Sequence, residues 1–279
     1  MDFEAACFGG AHVDLIAQAG ADLVMATSNP GVVRSKPGGV ALNVACALND
    51  LGRWVALASA LGADSDGDLI VKTLIARDID TSQLHRSTDF PTGRYVAVED
   101  MDGELSVAVS DTAALDNLAA AGLETSLQAL SGAQYWFADA NLTPALLGVM
   151  ANHPGRPKLV VDAVSVAKAL RLRDLLGEID VLFCNVDEAA SLVGENPDPL
   201  KALAAAGVRS CVVTNGANPV GVFDGSDCHE IAVPTVAVSS VTGAGDTLVA
   251  GTMDGLLSGA ELAGAASMGI QAAGQKLTS

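Results

Sequence analysis

The sequence predicts an α/β protein, a parallel sheet covered by helices with a smaller β element attached. Short apolar runs alternate with stretches of helical period through most of the chain, the signature of a βαβ array. One segment breaks the pattern: Tyr95-Val96-Ala97-Val98-Glu99 and Leu105-Ser106-Val107-Ala108-Val109 flank a turn at Asp102-Gly103, which reads as a hairpin. The length of 279 residues, with 50% hydrophobic and 17% charged, suffices for one large α/β domain.

The elements follow in order. A first strand is expected near Glu4–Gly9, and helical period sets in at about Asn43. Buried strands are expected at Trp54–Ala60, Gln134–Ala138, Leu159–Asp162, Val181–Cys184 and Ser210–Thr214, each leading into a helical stretch, so the sheet is expected to be parallel. The hairpin and the segment His12–Arg34 are expected to form a small sheet projecting from the core as a lid. The whole of residues 1–279 reads as one domain, with the lid built from about 12–36 and 88–110. No repeat or low-complexity linker interrupts it.

Charge and composition exclude several classes. Fifteen Lys and Arg against 33 Asp and Glu give a formal charge of −18, and no basic run occurs, so duplex nucleic acid is not an expected partner. An anionic ligand must then be held by backbone donors, a few local cations and Mg²⁺, because the overall field repels it. Cys7, Cys46, Cys184, Cys211 and Cys228 show no C-x-x-C spacing and read as reduced core thiols of a cytoplasmic protein. The four histidines are isolated, which leaves a zinc site without ligands. Asp64-Ser65-Asp66-Gly67-Asp68 has its glycine too early for a calcium loop and reads as a helix-capping turn. The start Met1-Asp2-Phe3-Glu4 is not that of a signal peptide, and no apolar stretch is long enough to span a membrane.

The most informative stretch is Val241-Thr242-Gly243-Ala244-Gly245-Asp246-Thr247. Two glycines flanking an alanine let successive N–H groups converge at a helix start, an anion hole suited to transferring phosphate. Asp246 in the first turn is placed to take a proton from a hydroxyl nucleophile. A Gly-rich turn with an acidic residue complementing the helix dipole has the same appearance. Neither familiar phosphate motif is present. Gly216 to Gly221 continues into Val222-Phe223 and lacks the Lys-Ser/Thr of a P-loop, and Leu248 occupies the third glycine of a dinucleotide fingerprint.

Three further segments carry candidates. Gly38-Gly39 precedes a helix with Asn43 in its first turn, suited to close approach by a ligand or to a flexible loop alone. Asp14 follows the first strand. Asn185-Val186-Asp187-Glu188 has the spacing of a capping box, and a functional Glu188 would act through water on Mg²⁺.

In this order and spacing the motifs resemble the ribokinase-like (PfkB-type) sugar and nucleoside kinases over nearly the whole chain. The resemblance implies a three-layer α/β/α sandwich with a small β-sheet lid, and phosphorylation of a primary hydroxyl with ATP, Mg²⁺ and a monovalent cation such as K⁺. It assigns Asp246 as base and Gly243, Ala244 and Gly245 as the anion hole. Asp14, Gly38, Gly39 and Asn43 hold sugar hydroxyls in this reading. Asn185, Glu188, Thr214, Gly216 and Thr242 serve the nucleotide, Glu188 reaching Mg²⁺ through water. Within the family, Thr27-Ser28-Asn29-Pro30-Gly31, Val107-Ala108-Val109-Ser110-Asp111, Asp139-Ala140-Asn141-Leu142 and Val164-Ser165-Val166-Ala167-Lys168 look more like pseudouridine kinases than ribokinases. Asn29, Asp111, Asn141 and Lys168 are accordingly expected at the nucleoside, with a ribokinase, another nucleoside kinase or a degenerate nucleoside-binding relative as alternatives. The implied partners are a small-molecule nucleoside or sugar and, through the lid, a second subunit. Two departures stand out. Ser240 replaces the family's usual aspartate, which bears on the monovalent-cation site, and the sequence stops at Ser279, which is expected to shorten the rim of the adenine pocket.

Overall fold

A computed structural model describes residues 3–235 and 243–278. The chain runs β1 (Ala5–Phe8), β2 (His12–Ala19), β3 (Gly31–Gly38), α1 (Val40–Asp50), β4 (Val55–Gly62), α2 (Ser65–Ile75), β5 (Asp80–Ser87), β6 (Arg94–Glu99), β7 (Leu105–Asp111), α3 (Ala113–Asp116) and α4 (Ala120–Ala129). It continues through β8 (Tyr135–Asp139), α5 (Pro144–Ala151), β9 (Lys158–Asp162), α6 (Val166–Ala169), a 3₁₀ stretch at Leu170–Glu178, β10 (Val181–Asn185), α7 (Val186–Val193) and α8 (Pro199–Ala205). The last elements are β11 (Cys211–Thr214), β12 (Val220–Phe223), β13 (Cys228–Ile231), α9 (Ala244–Leu257) and α10 (Leu262–Leu277).

The main sheet has the order β13-β12-β11-β10-β9-β8-β1-β4-β5, parallel from β11 to β5 and antiparallel at β12 and β13. Alternation along β1 shows the layering. Ala6 and Phe8 pack with Leu115, Leu123, Leu146 and Leu203 on one face, while Ala5 and Cys7 pack with Leu48, Ile70, Val249 and Ile270 on the other. The result is a three-layer α/β/α sandwich, with α1, α2, α9 and α10 covering one side of the sheet. A second sheet of order β3-β2-β6-β7 holds the expected hairpin as its β6–β7 half.

Three strands were not anticipated. β5 reads Asp-Thr-Ser-Gln-Leu-His-Arg-Ser, too polar for an apolar-run search because it lies at the sheet edge. β12 and β13 follow β11 directly where a helix was expected, since an antiparallel return needs only a tight connection. Asp64 caps α2, accepting from the Gly67 N–H at 2.9 Å, and also accepts from the Thr92 N–H and hydroxyl, which ties α2 to the entry of β6. All five cysteines are free, but Cys228 lies exposed on β13 and is no core thiol. Among the described residues no helix is long and apolar enough to cross a membrane.

The placement of α9 depends on close contact with α10 and on Arg53. An added Cβ at Gly251 would lie 2.8 Å from the Gly269 Cα, and one at Gly269 would lie 2.4 Å from the Leu248 carbonyl oxygen. Arg53, after α1, donates to the Asp254 carboxylate at 2.6 Å and to the Asp254 carbonyl at 3.0 Å, and pairs with Glu4 at 2.8 Å. Gly269→Ala is therefore expected to lower stability by about 1–3 kcal/mol through overpacking against helical backbone, measured by urea unfolding. A variant as stable as the wild type would show that α9 and α10 have room to part.

Candidate active site

The parallel strands deliver polar side chains to one edge. Across the register, Asp139 at the end of β8 stands beside Asp162 at the end of β9, and Asn185 at the end of β10 beside Thr214 at the end of β11. Ligands bind at this carboxyl edge in open α/β sheets. The edge also carries the Gly9-Gly10 turn after β1, the start of α1 and the start of α9.

Gly243 caps α9 with φ +81°, a left-handed conformation that glycine adopts without strain, and nothing lies within 4 Å of where its Cβ would be. The same open space surrounds Gly245. The first N–H groups of such a helix have no partner within it and point along the dipole, as an anion site requires. Asp246 sits one turn in, partly buried, and accepts from the Asn43 amide at 2.8 Å. Loss of solvation pushes its carboxyl up to about 6; the Asn43 bond opposes this, Asp139 and Asp14 add to it, and Lys36 opposes it.

Gly39 caps α1 at φ +105°, where a Cβ would strike the Gly10 carbonyl oxygen at 2.4 Å. At Gly38 a Cβ would overlap the Asp14 carboxylate. Both glycines thus make room, one for backbone and one for the acid. Asp14 lies on β2, buried, opposite Lys36 and Tyr95, with His12 Nε2 at 3.1 Å from its Oδ1. Asn141 is buried and accepts from the Lys168 ammonium. Burial holds the Lys168 ammonium below the usual lysine range.

A cavity of about 190 Å³ connects the base to the nucleotide candidates. Its wall carries Asp162, Asn185, Glu188, Thr214 and Asp246 among apolar groups that include Phe183, Leu248 and Val249. Asn185 and Glu188 form a complete capping box, Glu188 accepting from the Asn185 N–H at 2.9 Å and donating its own N–H to the Asn185 side chain at 2.8 Å. The capping box leaves the same buried carboxylate at the wall of the cavity. Desolvation raises the Glu188 carboxyl, and desolvation with Asp246, Glu188 and Asp139 nearby raises Asp162 well above the usual carboxylate range. Among the described residues no group of three or more ligating side chains is close enough to hold a metal ion by itself. Separated carboxylates around a small cavity suit Mg²⁺ bound largely by water and phosphate.

Not every expected residue converges here. Asn29 is exposed, and its amide closes its own loop through Val24 and Thr27. Asp111 is exposed at the end of β7, with one oxygen accepting from the Ala113 N–H. Gly216 lies beyond β11 in a left-handed turn. Thr242 and Ser240, with the expectation about a monovalent cation, fall outside the described residues. The sequence singled out neither His12 nor Asp162, and Asp139 only within the phrase Asp139-Ala140-Asn141-Leu142. Asp139 and Asp162 each end an apolar strand, which at the carboxyl edge of a parallel sheet was a usable signal.

A helix N-terminus open to anions, a carboxylate of raised pKa beside it and a carboxylate-bearing cleft on the same sheet edge suit a phosphotransferase with an alcohol acceptor. Comparison with known proteins gives the family. The sequence matches the pfkB family carbohydrate kinases over residues 2–279, and the chain belongs to that family. It is 29% identical to the pseudouridine kinase of Escherichia coli (strain K12) over 251 residues, 87% of this chain and 80% of that protein. It is 26% identical to the pseudouridine kinase of Arabidopsis thaliana over 192 residues, 68% of this chain and half of that protein. A carbohydrate kinase from Agrobacterium tumefaciens superimposes with a TM-score of 0.87 at 29% identity, covering 99% of this chain and 91% of the other. Ribokinase from Thermotoga maritima shares the fold, with a TM-score of 0.88 at 19% identity over 99% and 93% of the two chains. The protein is thus a sugar or nucleoside kinase of a family that uses ATP and a divalent metal.

The raised Asp246 carboxyl has a consequence for stability. Its folded pKa lies above its unfolded value, so its contribution is fully present below the unfolded pKa and is lost as pH rises through about 6. Asp246→Asn keeps an acceptor for Asn43 and removes the charge. It is expected to be more stable than the wild type at pH 8 by at most about 3 kcal/mol, the difference shrinking toward pH 4, in thermal or urea unfolding. Equal stability at both pH values would show that Asp246 is well solvated.

Proposed function

We propose that this kinase phosphorylates the 5′-hydroxyl of pseudouridine, using ATP and Mg²⁺. The observation that carries the reading is Asp246, positioned by Asn43 at the α9 N-terminus and of raised pKa. A base of pKa near the working pH accepts a proton efficiently and is largely ionised. Asp14, Gly39 and Asn43 hold the ribose so that its 5′-oxygen meets the γ-phosphorus in line. As that oxygen attacks, its proton passes to Asp246 and the bond to the β-phosphate oxygen breaks, releasing ADP. The N–H groups of Gly243, Ala244 and Gly245 face the charge on the transferring phosphoryl group. When bound, Mg²⁺ offsets charge on the nucleotide phosphates, and Glu188 and Asp162 are the residues that would hold its waters.

The choice of pseudouridine rests on the likeness to pseudouridine kinases and on the pairing of buried Asn141 with half-buried Lys168, a polar arrangement that a free sugar does not require. In this reading the small sheet, residues 12–36 with 88–110, closes over the nucleoside. Val33, Val107 and Val109 stand exposed on one face of it, an apolar surface suited to a second subunit. Asp111, at the edge of that sheet, accepts the base N–H that pseudouridine has and uridine lacks. Five free thiols fit a reducing cytoplasm.

The test is ADP release with pseudouridine, uridine, ribose and fructose, each with ATP and Mg²⁺. Pseudouridine is expected to give the highest kcat/KM, and Asp111→Ala to narrow its advantage over uridine more than it lowers the ribose rate. Ribose turned over as well as pseudouridine, or better, would overturn the substrate assignment and leave the kinase activity standing.

A further inference from the structure

Asp139 makes no contact that the phosphoryl transfer uses, yet it lies at the centre of the acceptor side. It is wholly buried at the end of β8. One carboxylate oxygen accepts from the Gly10 N–H at 2.8 Å and the Ala41 N–H at 2.9 Å, and the other from the Asn141 N–H at 2.9 Å. Ala41 is in the first turn of α1, so the carboxylate caps that helix from another strand, a role its own N-cap Gly39 cannot fill because it has no side chain. Burial pushes the Asp139 carboxyl up, and the bonds from Gly10, Asn141 and Ala41 oppose the shift.

The three donors belong to three different segments. Gly10 leads into β2 and Asp14, Ala41 precedes Asn43 by half a turn, and Asn141 accepts from Lys168. The cradle has no slack. A Cβ at Gly9 would come within 2.4 Å of the Asp139 carboxyl carbon, and one at Gly10 within 2.8 Å of the Asn141 amide nitrogen. Ser59 donates to the Gly9 carbonyl at 2.6 Å and fixes that turn from the other side.

We propose that Asp139 is the positioning residue of the acceptor site, a single buried carboxylate that sets the β1–β2 turn, the first turn of α1 and the Asn141 turn relative to one another. Removing it leaves three buried N–H groups without an acceptor, and the segments bearing Asp14, Asn43 and Asn141 lose their common anchor. Because Asn43 also holds Asp246, the displacement reaches the base. The nucleotide side, carried by β10, β11 and α7, makes no bond to Asp139 among the described residues. The proposal rests on the acceptor pocket described under the proposed function.

The test is steady-state kinetics of Asp139→Asn, with the acceptor that the wild type turns over fastest, so that a different natural substrate leaves it intact. The carboxamide has the same shape but opposes its NH₂ to a backbone N–H. We expect acceptor KM to rise about 10-fold or more and kcat to fall about 10²-fold per active molecule, with the KM for ATP within about two-fold. Leu123→Ala, a core truncation on α4 remote from the site, is the control, expected to lower stability and leave both KM values unchanged. If Asp139→Asn does not fold, Asp139→Ser decides the matter, since the shorter side chain fits the same space and cannot reach all three donors. Acceptor KM and kcat within about two-fold of wild type in the folded variant, or a KM for ATP that rises in step with that for the acceptor, would overturn the proposal.

Discussion

The hydrogen bond from Asn43 to Asp246 spans 203 residues of sequence, and much of the structure serves to make it possible. It requires the first turns of α1 and α9 to stand side by side on one face of the sheet. Glycine contacts between α9 and α10 set the depth of α9, and Arg53 fastens its far end. The start of α1 is set by Gly39 against the Gly10 carbonyl and by the Asp139 carboxylate. Neither helix is positioned by its own sequence alone. The bond also stabilises the ionised form of a carboxylate that burial would otherwise neutralise, and the balance leaves it at about 6.

The site concentrates negative charge in a chain that is already acidic. Asp139, Asp162, Glu188 and Asp246 converge at one edge of the main sheet with Asp14 on the small sheet beside them, and among the described residues Lys36 acts on Asp246 and Lys168 on Asp139. Such an arrangement repels a bare polyphosphate. Binding of one needs divalent metal and the partial positive charge of the α9 N-terminus, the two devices that require no basic side chain. Asp139 is held by three backbone N–H groups, and it still adds to the field that raises Asp246 and Asp162.

Much of this was legible in the sequence wherever local pattern and tertiary role coincide. The strands at β8, β9, β10 and β11 announced themselves as apolar runs because a parallel strand is buried on both faces. The capping box at Asn185–Glu188 and the glycines around Ala244 were visible because their spacing is itself the structure. β5 was missed because an edge strand keeps polar residues, and β13 because it alternates exposed with half-buried positions. Asp139 was read only as part of a phrase, since its three donors come from segments that meet only in the fold. Asn29 looked like a ligand residue by its neighbours in sequence, but its short polar side chain found bonds within its own loop.

The account stands on Asp246 acting as the base, and the pH dependence of turnover addresses that most directly. For the wild type, kcat/KM for the alcohol should rise with pH through about 6 and level off above, following ionisation of that one carboxyl. Asp246→Asn should lose this limb together with about 10²–10⁴-fold in kcat while binding the acceptor nearly as well. A variant that keeps half of the wild-type kcat, with the same acid limb, would contradict it.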